Sequence, residues 1–140
     1  LGEKGTIVRA AGGGGVPVYN DKNNKLEGLD AVIDKDLTAA KLGWVIRAQE
    51  YYIITDIDQV YLYFKTPQQE PILQMTAAEA KQYEEEGHFQ KGSMGPKIRS
   101  AVHFLKHGGS KAVITNIQNI TKAMNNQAGT TIFPENLPAA

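Results

Sequence analysis

The sequence contains no cysteine among its 140 residues, which excludes disulfide frameworks and thiolate metal sites. It also lacks an excess of either charge, with 15 Lys and Arg against 15 Asp and Glu. That balance gives no argument for nucleic acid or an anionic membrane as partner, so phosphate chemistry must come from a few placed cations. No apolar run approaches the roughly 20 residues of a membrane span, and no stretch reads as a secretory leader. A cytoplasmic protein acting on small molecules is expected. The chain begins at Leu1, and Gly2 to Arg9 reads as the continuation of something already under way, so a piece of a longer protein is expected too. What is present suits one domain over 1–140, because a 41% hydrophobic and 21% charged composition supports a packed core.

Strand and helix patterns alternate along the chain. Thr6-Ile7-Val8 reads as a strand running into Gly12 to Gly15. Val16 to Tyr19 is extended, Asp21 to Asn24 is turn chemistry, and Leu26 to Leu29 returns as a hairpin partner. Apolar Ala31-Val32-Ile33 reads as a buried strand leading to Asp34-Lys35-Asp36, with a helix over about 37–48. Tyr51 to Thr55 and Val60 to Phe64 are strand candidates, separated by the loop Thr55 to Asp58. Thr76 and Glu79 form a capping-box pattern opening a helix that Gly87 stops. Pro96 suits the first turn of a helix whose apolar face is Ile98, Ala101, Val102 and Leu105, ended by Gly108-Gly109. A strand over 111–115, a helix over 117–124 and a strand over 130–133 follow. The expectation is a layered α/β fold with a mostly parallel sheet, whose ligands bind beyond the carboxyl ends of the strands.

Three segments at those ends carry candidate chemistry. The run Gly12-Gly13-Gly14-Gly15 lets backbone N–H groups approach an anion, or is a flexible surface loop. It is not a dinucleotide fingerprint, because its spacing differs and no helix follows. Asp34-Lys35-Asp36 offers a lysine steadied by carboxylates, as phosphoryl transfer requires, or a solvated helix start capped by Asp34. Gly92 to Lys97 brings small residues and a lysine to a helix N-terminus, where the dipole favours phosphate, or is an ordinary helix start. His103 and His107 share a helix face, but no third ligand accompanies them, so no metal site is expected.

Taken together, Ala11 to Val18, Ala31 to Leu37, Thr55 to Asp58 with Val60-Tyr61, and Glu86 to Phe89 leading to Gly92-Ser93-Met94-Gly95-Pro96-Lys97 resemble the carbamate kinases of the amino acid kinase family. The closing Gly108-Gly109, Lys111 to Thr115 and Gly129-Thr130 agree. The resemblance covers essentially the whole chain and implies the C-terminal, nucleotide-binding half of a three-layer α/β/α sandwich with a mostly parallel sheet. It implies ATP or ADP with Mg²⁺, and carbamate or carbamoyl phosphate as the second substrate. Lys35 would neutralise the transferring phosphoryl, Asp36 would orient the lysines, and Lys97 would hold the nucleotide phosphates. Thr55, Asp56, Val60, Tyr61, Gly92, Ser93, Met94 and Gly95 would form the nucleotide site, with Gly12 to Gly15 near the active centre. The family's acceptor loop, a further lysine and most contacts of its homodimer belong to an N-terminal half that is not in these residues. The sequence departs from the family at Ala11, where Ser is usual, at Gln59, where Gly or Ala is common, and at the bulky Trp44. A non-catalytic nucleotide-binding module, or a relative acting on an acyl carboxylate or UMP, is the alternative.

Overall fold

The computed structural model describes residues 5–10, 12, 15–90 and 92–135. A four-stranded sheet is its centre, built from β3 (Glu50–Thr55), β7 (Lys111–Asn116), β8 (Thr130–Phe133) and β6 (Gln74–Thr76) in the order β3-β7-β8-β6. β3 pairs with β7 and β6 with β8 in parallel, whereas β7 and β8 are antiparallel. The sheet is therefore mixed but mostly parallel, and the α/β class expected from the sequence is present.

Two small hairpins flank it, β1 (Val18–Asn20) with β2 (Leu26–Gly28) and β4 (Val60–Leu62) with β5 (Glu70–Ile72). The first is the expected hairpin. Asp21 closes its turn by accepting from the Asn23 and Lys25 backbone N–H groups, both at 2.8 Å. In the second, the expected strand 60–64 stops at Leu62, because Tyr63 turns away with φ 49°.

α1 (Lys35–Val45), α2 (Ala77–Glu85) and α3 (Met94–Lys106) pack together, α1 and α2 each against α3. α3 lies on β7, and its Ile98, Ala101, Phe104 and Leu105 join Ala112 and Ile114 of β7 in the core. By strand alternation, Val113 and Thr115 point to the other face. The short α4 (Ile120–Met124), which follows a 3₁₀ turn, also packs on β7 and buries Ala123.

Local signals set most helix ends. Thr76 and Glu79 form the capping box in both directions. α3 ends in a Schellman arrangement, with Gly109 N–H donating to Phe104 O and Gly108 N–H to Leu105 O, and Gly108 at φ 99°. Gly109 must lack a side chain, since a Cβ there would run into the Phe104 ring.

Three expectations are corrected. Thr6-Ile7-Val8 forms no strand and is exposed. Ala31-Val32-Ile33 is not a buried strand either, and Val32 is 96% exposed. Both runs are apolar, but no sheet edge within the described residues pairs with them. The helix expected over 37–48 instead starts at Lys35, because Asp34 caps it, and ends at Val45.

Candidate functional site

Asp34 decides where α1 begins. Its carboxylate accepts from the backbone N–H groups of Asp36 at 2.8 Å and Leu37 at 3.0 Å. That fixes the first turn and sends the Asp36 side chain toward α3. There Asp36 Oδ2 meets Lys97 Nζ at 3.3 Å, and Lys35 Nζ approaches the same oxygen at 3.7 Å. The Asp36 and Lys97 side chains are each only 14% exposed, whereas Lys35 is 66% exposed. Residues 61 positions apart thus form one cluster of two ammonium groups around one carboxylate. Among the described residues no three His, Asp or Glu side chains converge as a cation site. Asp36 is engaged by the two lysines.

Lys97 also lines a cleft of about 520 Å³ between the β3–β5 connections and the start of α3. Thr55, Asp56, Tyr61, Gly92, Ser93 and Met94, all singled out in the sequence, line it as well. Two buried threonines hold the near wall. The Thr130 hydroxyl accepts from Val60 N–H at 2.8 Å and donates to the Ile72 carbonyl, tying β4 and β5 to the sheet. The Thr115 hydroxyl donates to the Asp58 carbonyl at 3.3 Å. Asp58 in turn accepts from the Tyr61 phenol at 3.0 Å. Partial burial and that bond push the phenol's pKa up, so it stays a neutral donor. The Tyr61 ring stacks near Phe64, with centroids 6.0 Å apart.

On the opposite wall, Ser93 makes no side-chain cap bond to α3, and its hydroxyl donates to Gln90 Oε1 at 3.1 Å. In the first turn of α3 the Gly95 N–H donates to the Gln90 carbonyl at 2.9 Å and Pro96 has no N–H, so the Lys97 ammonium, at the positive end of the helix dipole, is the group there that attracts anionic oxygen.

Not every expected residue joins the cleft. Val60 is fully buried in the core. Gly95 packs under Gln90, whose carbonyl would stand 3.1 Å from a Cβ at that position. Lys35 reaches the cleft only through Asp36. Gly15 lies against Ile33 near the start of α1, where a Cβ would come within 3.0 Å of the isoleucine. Gly12 is exposed with φ 153°, and Gly13 and Gly14 lie outside the described residues.

Ile57, Phe64, Lys65, His88, Phe89 and Gln90 also line the cleft, and none was assigned to the site from the sequence. Phe64 and Lys65 arrive through a turn in which Tyr63 and Lys65 both have positive φ, at 49° and 63°, without a glycine to announce it. His88 packs edge-on to Tyr63 at 4.6 Å and has Glu86 Oε2 at 3.5 Å from its Nε2. The Gly87-His88-Phe89 string was the available signal, but it pointed to no partner. His103 and His107 stack on each other and beside Trp44, away from the cleft.

The arrangement offers an aromatic wall, a helix N-terminus and a lysine tied to a carboxylate, which suits a molecule with a flat ring and a polyphosphate tail. The description "Amino acid kinase family" matches residues 1–116. The carbamate kinase of Thermoplasma volcanium is 42% identical over 134 residues, 96% of this chain and 44% of the relative. The carbamate kinase of Thermococcus kodakarensis is 42% identical over 135 residues, covering 96% and 42%. A solved carbamate kinase from Giardia lamblia bound to AMP-PNP superposes with a TM-score of 0.79 at 34% identity, covering 87% of this chain and 42% of that one. The chain thus spans less than half the length of these relatives. The match over residues 1–116, most of the chain, establishes that the chain belongs to the amino acid kinase family.

Proposed function

We propose that residues 1–140 form the nucleotide-binding part of a carbamate kinase, taking ATP or ADP in the cleft between residues 55–65 and 88–97. In the ATP-forming direction an oxygen of the ADP β-phosphate attacks the phosphorus of carbamoyl phosphate. The phosphorus–oxygen bond to carbamate breaks, and carbamate leaves with the electron pair. Such transfer asks the protein mainly for fixed positive charge around the migrating group. The observation that carries the reading is the Lys97–Asp36–Lys35 cluster at the first turn of α3, with Lys97 on the wall of the cleft. In this reading Lys97, largely buried and in the cleft, holds phosphate oxygens in both ground and transition states. Lys35, the more exposed, meets charge that develops during transfer, and Asp36 holds both ammonium groups. Tyr61, with Thr55, Asp56, Gly92, Ser93 and Met94, contacts the nucleotide. Mg²⁺ is proposed to arrive with the phosphates, and no step here depends on it. The acceptor site and the contacts of a homodimer are proposed to lie in the portion of such an enzyme that these residues do not span.

The division of labour is testable by steady-state kinetics in a polypeptide of the relatives' full length carrying these residues. An interaction made only in the transition state lowers kcat, and one made throughout also raises KM. Lys35→Ala is expected to lower kcat by about 10²–10³, the scale of one preorganised electrostatic group. Lys97→Ala is expected to raise the nucleotide KM and slow the reaction. Lys35→Arg should not rescue, since a planar fork does not replace a compact ammonium. Near-normal kcat in Lys35→Ala, with folding confirmed by circular dichroism, would leave Asp34-Lys35-Asp36 as a capped helix start and nothing more.

A further inference from the structure

Asp36 and Lys97 sit on different helices, so their pairing depends on how the first turns of α1 and α3 are held together. Two hydroxyl groups grip the backbone of this pair. The Tyr51 phenol, on β3, donates to the Asp36 main-chain carbonyl at 3.1 Å. The Ser100 hydroxyl, on α3 and fully buried, donates to the Lys97 main-chain carbonyl at 2.8 Å. Tyr51 and Ser100 are also neighbours. Burial pushes the Tyr51 phenol's pKa up, and the nearby Ser100 hydroxyl opposes that rise. The Tyr51 ring is seated against Phe104, with centroids 5.4 Å apart, so its hydroxyl comes from the packed core and not from a mobile loop.

Apolar packing alone does not call for these hydroxyls. A phenylalanine would fill the Tyr51 site and an alanine would leave little space at Ser100. What the hydroxyls add is direction. A serine that bonds back to a carbonyl one turn earlier adjusts the local course of its helix. A buried phenol that reaches a neighbouring helix ties that helix to the strand beneath.

We propose that Tyr51 and Ser100 are positioning residues for the Asp36–Lys97 pair, fixing the relative placement of the first turns of α1 and α3 and so the direction in which the Lys97 ammonium faces the phosphates. The inference rests on the reading of Lys97 as a phosphate ligand given above. Neither hydroxyl touches substrate. Nucleotide binding tolerates a small displacement of one ammonium group, whereas in-line transfer is sensitive to misplacement on the scale of an ångström. The effect of losing either hydroxyl therefore falls on kcat.

The test is steady-state kinetics with thermal unfolding on Tyr51→Phe, Ser100→Ala, their double variant and Lys97→Ala, in a polypeptide of the relatives' full length. Each single hydroxyl variant is expected to lower kcat about tenfold with the nucleotide KM unchanged within about twofold. The double variant should fall little further, because the two residues act as one unit. Wild-type kcat in both single variants, while Lys97→Ala loses activity, refutes the inference and leaves the site reading standing. So does a lowered Tm with unchanged kcat, which assigns the hydroxyls a purely structural role. Wild-type rates in Lys97→Ala remove the site reading, and the inference with it.

Discussion

Residues 5–34 and residues 50–133 both carry apolar side chains, but dispose of them in opposite ways. In the first region Ile7 is 94% and Val32 96% exposed, and both strands of the hairpin β1–β2 are exposed along their length. In the second, Ile98, Phe104, Val113, Ile114 and Ile132 are essentially sealed. The difference teaches that an apolar run is not a core until a partner surface meets it. Lys111 to Thr115 becomes buried because β3 and β8 flank it and α3 covers it. Ala31 to Ile33, similarly apolar, has no such neighbours among the described residues. The candidate site straddles the two regions: Lys35 and Asp36 follow directly on the exposed one, and Lys97 belongs to the sealed one.

The largest effect that would break this comparison is in the sealed region. Phe104→Ala should cost about 3–5 kcal/mol, since it removes a fully buried ring packed on Tyr51 and beneath Gly109. Denaturant unfolding of the variant measures it, and a cost near zero would mean that α3 is not the keystone of the core.

A smaller effect concerns pH. Burial beside Trp44, together with repulsion from His107, Lys41 and Lys106, holds His103 below its ordinary value of 6.5. Its buried Nδ1 has no hydrogen-bond partner among the described residues. The folded state then binds fewer protons than the unfolded state at this residue. The associated stability is complete above about pH 6.5 and declines as pH falls through the window between 6.5 and the depressed folded value. Tm measured from pH 7.5 down to 5.5 should fall less steeply in His103→Gln than in the parent.

The smallest effect belongs to the exposed region. Val32→Ala should change the stability of this chain by less than about 0.5 kcal/mol. A larger cost in a polypeptide of the relatives' full length would sharpen the comparison, by showing that this apolar run gains a partner there.

What the sequence disclosed follows the same division. The capping box at Thr76, the glycine stop at Gly108 and the amphipathic face of α3 are local signals, and local signals were readable. The strands β5 and β6 were not foreseen, because each has three residues, β5 contains Pro71, and β6 exists through pairing with β8 far along the chain. In the site, Gly92, Ser93, Met94 and Lys97 at the start of α3 and Thr55 and Asp56 at the end of β3 were identifiable from their positions at strand and helix ends. Phe64 and Lys65 were not, since a positive-φ turn at non-glycine residues brings them to the cleft. The Asp36–Lys97 contact spans 61 positions, and no spacing rule announces it.

The central claim is that the cleft holds a nucleotide, and isothermal titration of this chain with Mg-ADP tests it most directly. The account predicts saturable binding that weakens in Lys97→Ala and in Tyr61→Ala, the latter by about 1–3 kcal/mol if the ring stacks on the base. A well-folded sample that gives no binding heat at millimolar nucleotide would contradict it.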